Sequence, residues 1–381
     1  MTEVLVRNAA KVATGDSRRP LIDAPTDIRI VDGFIAAIGP AASGRADRVL
    51  DATGMLVTPG LWDAHHHPFF GDHTPQFDAR GYLAETVRAG TTTVVSAGTI
   101  DFPGRPRDAA GERELAILAQ RSWIHDRPLE INVLSDTAVA AAGLEESDFV
   151  TLGRVGVRRL VVSTPLPTEA EARRIVGWAR IHGLKVIAHA DGPVPLVRGA
   201  SVVEALGIIE PDIVLGVNGG DIALAADVID QLVSGSRAVL EVSLTGNLQV
   251  ARRLVASLVA RAESERVILG TETPSARGVI PSGIQRMMQL VVGATPAVTP
   301  ALTIALASGN TARAYGLTGG VVEIGMPADL LLCGARQGSA ALDDLARGEW
   351  LDIRAVLIAG SVESGGATAT APAPALAGIA R

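Results

Sequence analysis

Between Met55 and His67 the chain reads Met55-Leu56-Val57-Thr58-Pro59-Gly60-Leu61-Trp62-Asp63-Ala64-His65-His66-His67, an apolar run that stops at an aspartate and three consecutive histidines. A continuous apolar run suits a strand buried on both faces, as in a parallel sheet, and α/β folds place their chemistry at the C-terminal ends of such strands. Residues two apart on an extended strand point the same way, so His65 and His67 can converge on one ion while His66 faces the opposite side. A lone histidine is more often an ordinary hydrogen-bonded residue than a ligand. Here four of the seven histidines, His65, His66, His67 and His73, fall within nine residues at the end of an apolar strand, which favours a metal site.

The rest of the chain supplies a housing for that strand. Apolar runs of strand character alternate with helical patterns, at Leu56 to Leu61, Thr92 to Ser96, Glu130 to Leu134, Arg159 to Ser163, Lys185 to His189, Ile213 to Val217, Ala238 to Val242 and Arg266 to Leu269. Eight β/α units in roughly 250 residues match the scale of a (β/α)8 TIM-like barrel. A doubly wound open sheet competes, but its first strand would lead into a Gly-rich phosphate turn rather than a histidine cluster. Thr168-Glu169-Ala170-Glu171 reads as a capping box before a helical run to Ile181. Short strand patterns at both termini, with a hairpin signal at Asp32-Gly33, predict a small β-sandwich domain built from residues 1–54 and 320–364. The barrel then occupies 55–319, and 365–381, rich in Ala, Pro, Gly and Thr, reads as a flexible tail.

In a barrel, working side chains stand at the C-terminal ends of strands. His189 closes Lys185-Val186-Ile187-Ala188-His189 and is a candidate third nitrogen ligand. Glu272 follows the last strand, so His65, His67, His189 and Glu272 supply ligation or a general base, with His189 and Glu272 as the catalytic candidates. Glu241 sits inside an apolar strand, and a buried carboxylate needs a partner or a proton; it reads as either support for the ligands or a structural hydrogen bond. His125 and His182 read as solvated. Arg105, Arg107 and Arg277 stand in loops after strands, where an arginine can hold a substrate carboxylate or simply face water.

Composition narrows the alternatives. Hydrophobic residues make up 48% of the chain, but aromatics only 3%, so the core must be aliphatic. A net charge of −7 without a basic stripe argues against a nucleic-acid partner. The single cysteine, Cys333, excludes an internal disulfide framework or a thiolate cluster and suggests a reducing compartment. With neither a signal-like start nor an apolar run of about 18 residues, the chain reads as cytoplasmic and free of the membrane. A small-molecule substrate and a homo-oligomer are expected.

Pro59 to His67 resembles the first-strand metal motif of the amidohydrolase superfamily, and Gly325-Met326-Pro327-Ala328-Asp329-Leu330 resembles its C-terminal sandwich signature. Within it the chain is similar to the enamidase and imidazolonepropionase-like branch, through Ser96-Ala97-Gly98, residues 102 to 111, Asn218-Gly219-Gly220 and Pro274-Ser275. The resemblance runs essentially end to end and implies cleavage of a cyclic amide or amidine by metal-activated water. Asn218 enters through it as a substrate-binding candidate. Two-metal relatives bridge their ions with an acid at the end of the fourth strand, where this chain has Leu160-Val161-Val162-Ser163-Thr164-Pro165, and they carry a histidine after the sixth strand, where it has Val214-Leu215-Gly216-Val217-Asn218. The family's final aspartate is Glu272 here. The expectation is therefore one divalent ion, Zn2+ ahead of Fe2+ or Mn2+, in a hydrolase of a small cyclic amide, enamide or lactam-like substrate. A lyase, isomerase or cyclase on the same scaffold, or an inactive homologue, is the competing reading.

Overall fold

The computed structural model describes residues 2–67, 79–98, 104–125, 127–190, 195–219, 224–275, 278–336, 340–365 and 369–370. His73, Arg277 and residues 371–381 lie outside them.

Two parallel sheets form the middle of the chain. In one, Leu61–His66 pairs with Thr91–Ser96, which pairs with Asn132–Leu134. In the other, Thr137–Val139, Arg159–Val162, Lys185–His189, Ile213–Leu215, Val239–Ser243 and Val267–Gly270 lie side by side in chain order. Only Ser135 and Asp136 separate the third expected run from its continuation in the second sheet. On the other side the sheets meet where Glu272 N–H donates to His65 O at 2.8 Å and His66 bridges Thr273 in parallel. Alternate residues face opposite ways. Leu160, Val162, Val186 and Ala188 pack against the surrounding helices, while Val161, Ile187, Ile213 and Ile268 pack with Trp62 and Tyr315 in a separate interior cluster. Burial on both faces is why these strands read as unbroken apolar runs.

The opening strand differs from the expectation. Leu56–Pro59 pairs antiparallel with Leu330–Gly334 and parallel with Lys11–Ala13, so it belongs to a terminal sheet, and the parallel strand begins only at Leu61. The break falls at Gly60, whose N–H donates to Asp329 O at 2.8 Å. A Cβ at this position would stand 2.1 Å from Thr92 Oγ1, so only glycine lets the chain pass this close as it changes sheets.

The termini build two further sheets. One contains Glu3–Ala9, Thr26–Val31, Phe34–Ile38, Arg48–Asp51 and Ala369–Thr370. The other interleaves Lys11–Ala13, Leu21–Ile22 and Leu56–Pro59 with Leu330–Gly334, Asp352–Ile358 and Ser361–Ser364. The two share a buried cluster that includes Val6, Ile28, Leu50, Val57, Leu330 and Leu357. The hairpin at Asp32-Gly33 forms with φ of 48° and 85°, the left-handed pair a two-residue turn requires. Ala369–Thr370 pairs with Val49 and Leu50, so part of the stretch expected to be loose is a strand.

Helix Glu169–Ile181 starts on Thr168, whose hydroxyl accepts from Glu171 N, a cap worth about 1 kcal/mol. Its capping box is only half formed, because the Glu171 carboxylate reaches outward and accepts from Gly143 N at 2.8 Å. Beneath the interior cluster, the buried Arg159 pairs with Asp136 and lies over the Tyr315 ring at 5.2 Å. Burial pulls its guanidinium down to about 10, with the Tyr315 charge opposing. The Tyr315 hydroxyl donates to Ala64 O at 2.8 Å. Among the described residues no helix is long and apolar enough to cross a membrane.

Gly60→Ala is expected to lower unfolding free energy by about 1–3 kcal/mol, the usual cost of forcing atoms into a filled site. Chemical denaturation of the purified variant checks this, and an unchanged midpoint would show that the crossing between sheets can give way.

Candidate metal and catalytic site

Asp63 organises the end of the first parallel strand. From Asp63 to His66 the strand advances three residues while its neighbour advances two, from Val94 to Ser96, the signature of a bulge. Asp63 Oδ1 accepts from His65 N at 3.1 Å and Thr271 N at 3.0 Å, and Oδ2 accepts from Thr271 Oγ1 at 2.5 Å. Burial pushes this carboxyl up to about 7 against those hydrogen bonds. The bulge changes the phase of the strand. Trp62 and Ala64 face the interior cluster, and beyond them His65 turns inward as well, its ring centroid 5.2 Å from that of His67 and 4.7 Å from that of His189. His66 points the other way and stacks on Tyr82 at 5.8 Å. The expected arrangement, two histidines on one side and the middle one on the other, is what the structure contains.

His65 is wholly buried. Its Nδ1 lies 3.4 Å from Glu241 Oε2, which also accepts from Gly216 N at 2.7 Å. Burial disfavours the imidazolium, but the Glu241 charge and hydrogen bond outweigh it, with Glu272 and Asp63 adding, and the ring is lifted to about 9. In the neutral ring that a metal ligand requires, an Nδ1–H donated to Glu241 fixes the tautomer and leaves Nε2 as the lone-pair donor. That Nε2 is buried and has no hydrogen-bond partner, and neither has His189 Nε2. Burial holds His189 well below the usual histidine range, with the charges of His65 and His67 adding. Gly270 explains itself here: a Cβ would stand 2.3 Å from Glu241 Oε1 and 2.6 Å from His65 Cβ.

Glu272 completes the group. One ligand atom from each of His65, His189 and Glu272 lies within 4.8 Å of the others, and Glu272 Oε1 is 4.0 Å from His189 Nε2. His67 is outside this tight set, although its ring faces that of His65. Glu272 has a φ of 56°, a left-handed conformation uncommon for a residue with a side chain and concentrated at functional sites. Two buried imidazole nitrogens without hydrogen-bond partners beside a carboxylate are a donor set suited to a divalent ion.

The remaining candidates are placed differently. Asn218 is buried, with Nδ2 donating to Ser243 O at 2.9 Å and Oδ1 accepting from Ser243 N at 2.8 Å. Arg105 forms a buried ion pair with Glu112, and its Nε has no partner. Arg107 is exposed. Arg277 lies outside the described residues. His125 is exposed, and His182 is half-buried at a helix end, 3.3 Å from Glu146. At the fourth-strand position, Ser163 follows the inward-facing Arg159 and Val161 at the same alternation, and its hydroxyl is buried without a partner. Sequence reasoning did not single out Asp63, Ser163, Ser243 or Thr245 as site residues. The only signal was an Asp two residues before a His-x-His; serine and threonine at strand ends give none.

No family model matches the chain. It is 34% identical to an enamidase of Eubacterium barkeri over 372 residues, covering 94% of this chain and 95% of that one. The crystal structure of an enamidase, described as a member of the amidohydrolase superfamily, superposes with a TM-score of 0.87 at 32% identity over 98% of each chain. The chain belongs to the amidohydrolase superfamily. Its place is in the enamidase and imidazolonepropionase-like branch: an imidazolonepropionase of Myxococcus xanthus is 33% identical over 181 residues, 43% of this chain and 41% of that one. A D-hydantoinase structure, 15% identical with a TM-score of 0.65 over 95% of each chain, shares the fold. The superfamily architecture is a TIM-barrel domain, in keeping with the parallel sheets seen here. Enamidase and related amidohydrolases are hydrolases of carbon–nitrogen bonds other than peptide bonds, and this amidohydrolase is an enzyme of that class.

Burial pushes His66 down to about 3, with the charges of His67 and His65 adding. The unfolded chain protonates this residue near 6.5 and the folded chain does not, so between those values the unfolded state binds the extra proton and stability falls as pH falls. His66→Phe keeps the stack on Tyr82 and removes the titration. In metal-free protein, the slope of unfolding free energy against pH between about 3 and 6.5 is expected to be shallower in the variant than in wild type. Equal slopes would mean that His66 is protonated in the fold.

Proposed function

We propose that this chain is a hydrolase with one divalent ion, Zn2+ in the first instance, that opens a C–N bond of a small cyclic amide, enamide or lactam-like substrate. The observation that carries the reading is the pair of buried, partnerless Nε2 atoms of His65 and His189 beside the Glu272 carboxylate. His65 and His189 would hold the ion, and His67, on the same side of the strand, would supply the third nitrogen. A divalent ion held there supplies Lewis-acid polarisation of the amide carbonyl and makes water nucleophilic near neutral pH. Glu241 keeps the proton of His65 on Nδ1, so that Nε2 stays available. Glu272 receives a proton at its carboxylate when water attacks, then returns it to the departing nitrogen. Ser163 at the fourth-strand end, and Gly216 and Val217 after the sixth strand, support a single ion, because none of them is an acid or an imidazole.

The same reading extends to the architecture. The two parallel sheets, joined through Glu272 and His65, close into a (β/α)8 barrel, and the terminal sheets form a β-sandwich domain that takes in Leu56–Pro59 besides residues 1–54 and 320–364. Asn218, its amide taken up by Ser243, supports the site rather than touching substrate.

Elemental analysis of untagged protein is expected to give one equivalent of metal per chain, lost in His67→Ala with the fold intact by circular dichroism. Chelation should abolish hydrolysis of a panel of cyclic amides and enamides, and one equivalent of Zn2+ should restore it. Two equivalents, with both ions in the barrel, would refute the single-ion site. Glu241→Gln is expected to weaken Zn2+ affinity about 10- to 100-fold, the usual effect of losing a carboxylate behind a ligating histidine, as read by competition with a chromophoric chelator.

A further inference from the structure

Glu272 is gripped from behind. Its Oε2 accepts hydrogen bonds from Ser243 Oγ at 3.2 Å and from Thr245 Oγ1, both at the end of the preceding strand, while Oε1 faces His189. The backbone under it is fixed as well, since Glu272 N–H donates to His65 O. Ser243 is itself clamped, its N–H donating to Asn218 Oδ1 and its carbonyl accepting from Asn218 Nδ2. Gly246 allows this clamp to sit where it does: a Cβ there would lie 2.4 Å from Asn218 Nδ2.

We propose that Thr245 and Ser243, the latter held by Asn218, are positioning residues that occupy Oε2 of Glu272 and leave Oε1 as its single working oxygen. The proposal rests on the reading of Glu272 as the carboxylate that takes the proton from water beside the ion. A carboxylate has two oxygens and about four lone-pair sites, and two hydroxyl donors on one oxygen prevent it from turning both toward an ion. The anchor also answers a problem created by the longer arm. Glutamate has one more rotatable bond than the aspartate of the family's motif, so an unheld side chain would sample positions in which neither oxygen reaches the histidines. Two hydroxyls on one side and a left-handed backbone on the other remove that freedom.

Thr245→Val keeps the shape of the side chain and deletes its hydroxyl; Thr245→Ser keeps the hydroxyl. With Zn2+-loaded protein, Thr245→Val is expected to lose about 10- to 100-fold in kcat with KM changed less than about twofold and metal content unchanged, while Thr245→Ser stays within about threefold of wild type. The second readout needs no turnover: in Co2+-substituted protein, Thr245→Val should weaken the visible absorption, as a released Oε2 adds a donor, and Thr245→Ser should not. Wild-type kcat in Thr245→Val, or equal losses in the valine and serine variants, overturns the proposal. If wild type hydrolyses nothing in the amide panel, the functional reading fails by itself and the Co2+ spectra decide alone: unchanged spectra in Thr245→Val overturn the grip on Glu272.

Discussion

The hydrogen bonds that Asp63 accepts from His65 and Thr271 hold the whole site in register. A strand with a strict period of two would place His65 on the face opposite Ala64, among the surrounding helices. One extra residue reverses that, and the backbone groups it displaces need partners in a buried place. Asp63 supplies them: His65 N and Thr271 N both donate to Oδ1, and Thr271 Oγ1 donates to Oδ2. Burying a carboxylate is unfavourable by itself, and three donors are what make it tolerable. The first strand and the segment after the last are therefore joined by one side chain directly below the histidines.

From that junction the polar groups are arranged in pairs with distinct tasks. Glu241 stands behind His65, and Ser243 with Thr245 behind Glu272, so these two members of the cluster each have a partner on the far side. The site draws on the first, fifth, seventh and last strands. The fourth ends in the buried hydroxyl of Ser163, and the sixth contributes the backbone N–H of Gly216, donated to Glu241, and the amide of Asn218, engaged by Ser243.

Much of this was legible beforehand. Lys185–His189 and the other parallel strands stand where their apolar runs lie, because burial on both faces leaves a strong mark on sequence. His65, His189 and Glu272 were legible as strand-end residues, and Glu241 as a polar residue in an apolar strand. The switch of sheets at Gly60 was not legible, since Leu56–Pro59 and Leu61–His66 are equally apolar and hydrophobicity does not reveal which sheet a strand joins. Nor was the bulge, which depends on which backbone donors Asp63 satisfies. Asn218 suggested a substrate contact by family resemblance, whereas its amide is engaged by Ser243. Arg105 was read as either a substrate contact or a solvated side chain, and the structure pairs it with Glu112, one helical turn into the next element.

The packing below the site has a consequence for traffic. Arg159, Asp136 and Tyr315 fill the lower end of the parallel sheets, and Trp62, Val161, Ile187 and Ile268 fill the layer above them, all but Asp136 with almost no accessible surface. Among the described residues, side chains fill this end of the sheets. On the proposed reading, a ligand bound for His65, His189 and Glu272 would therefore arrive from the end where the strands finish, with the packed layers behind it acting as a floor.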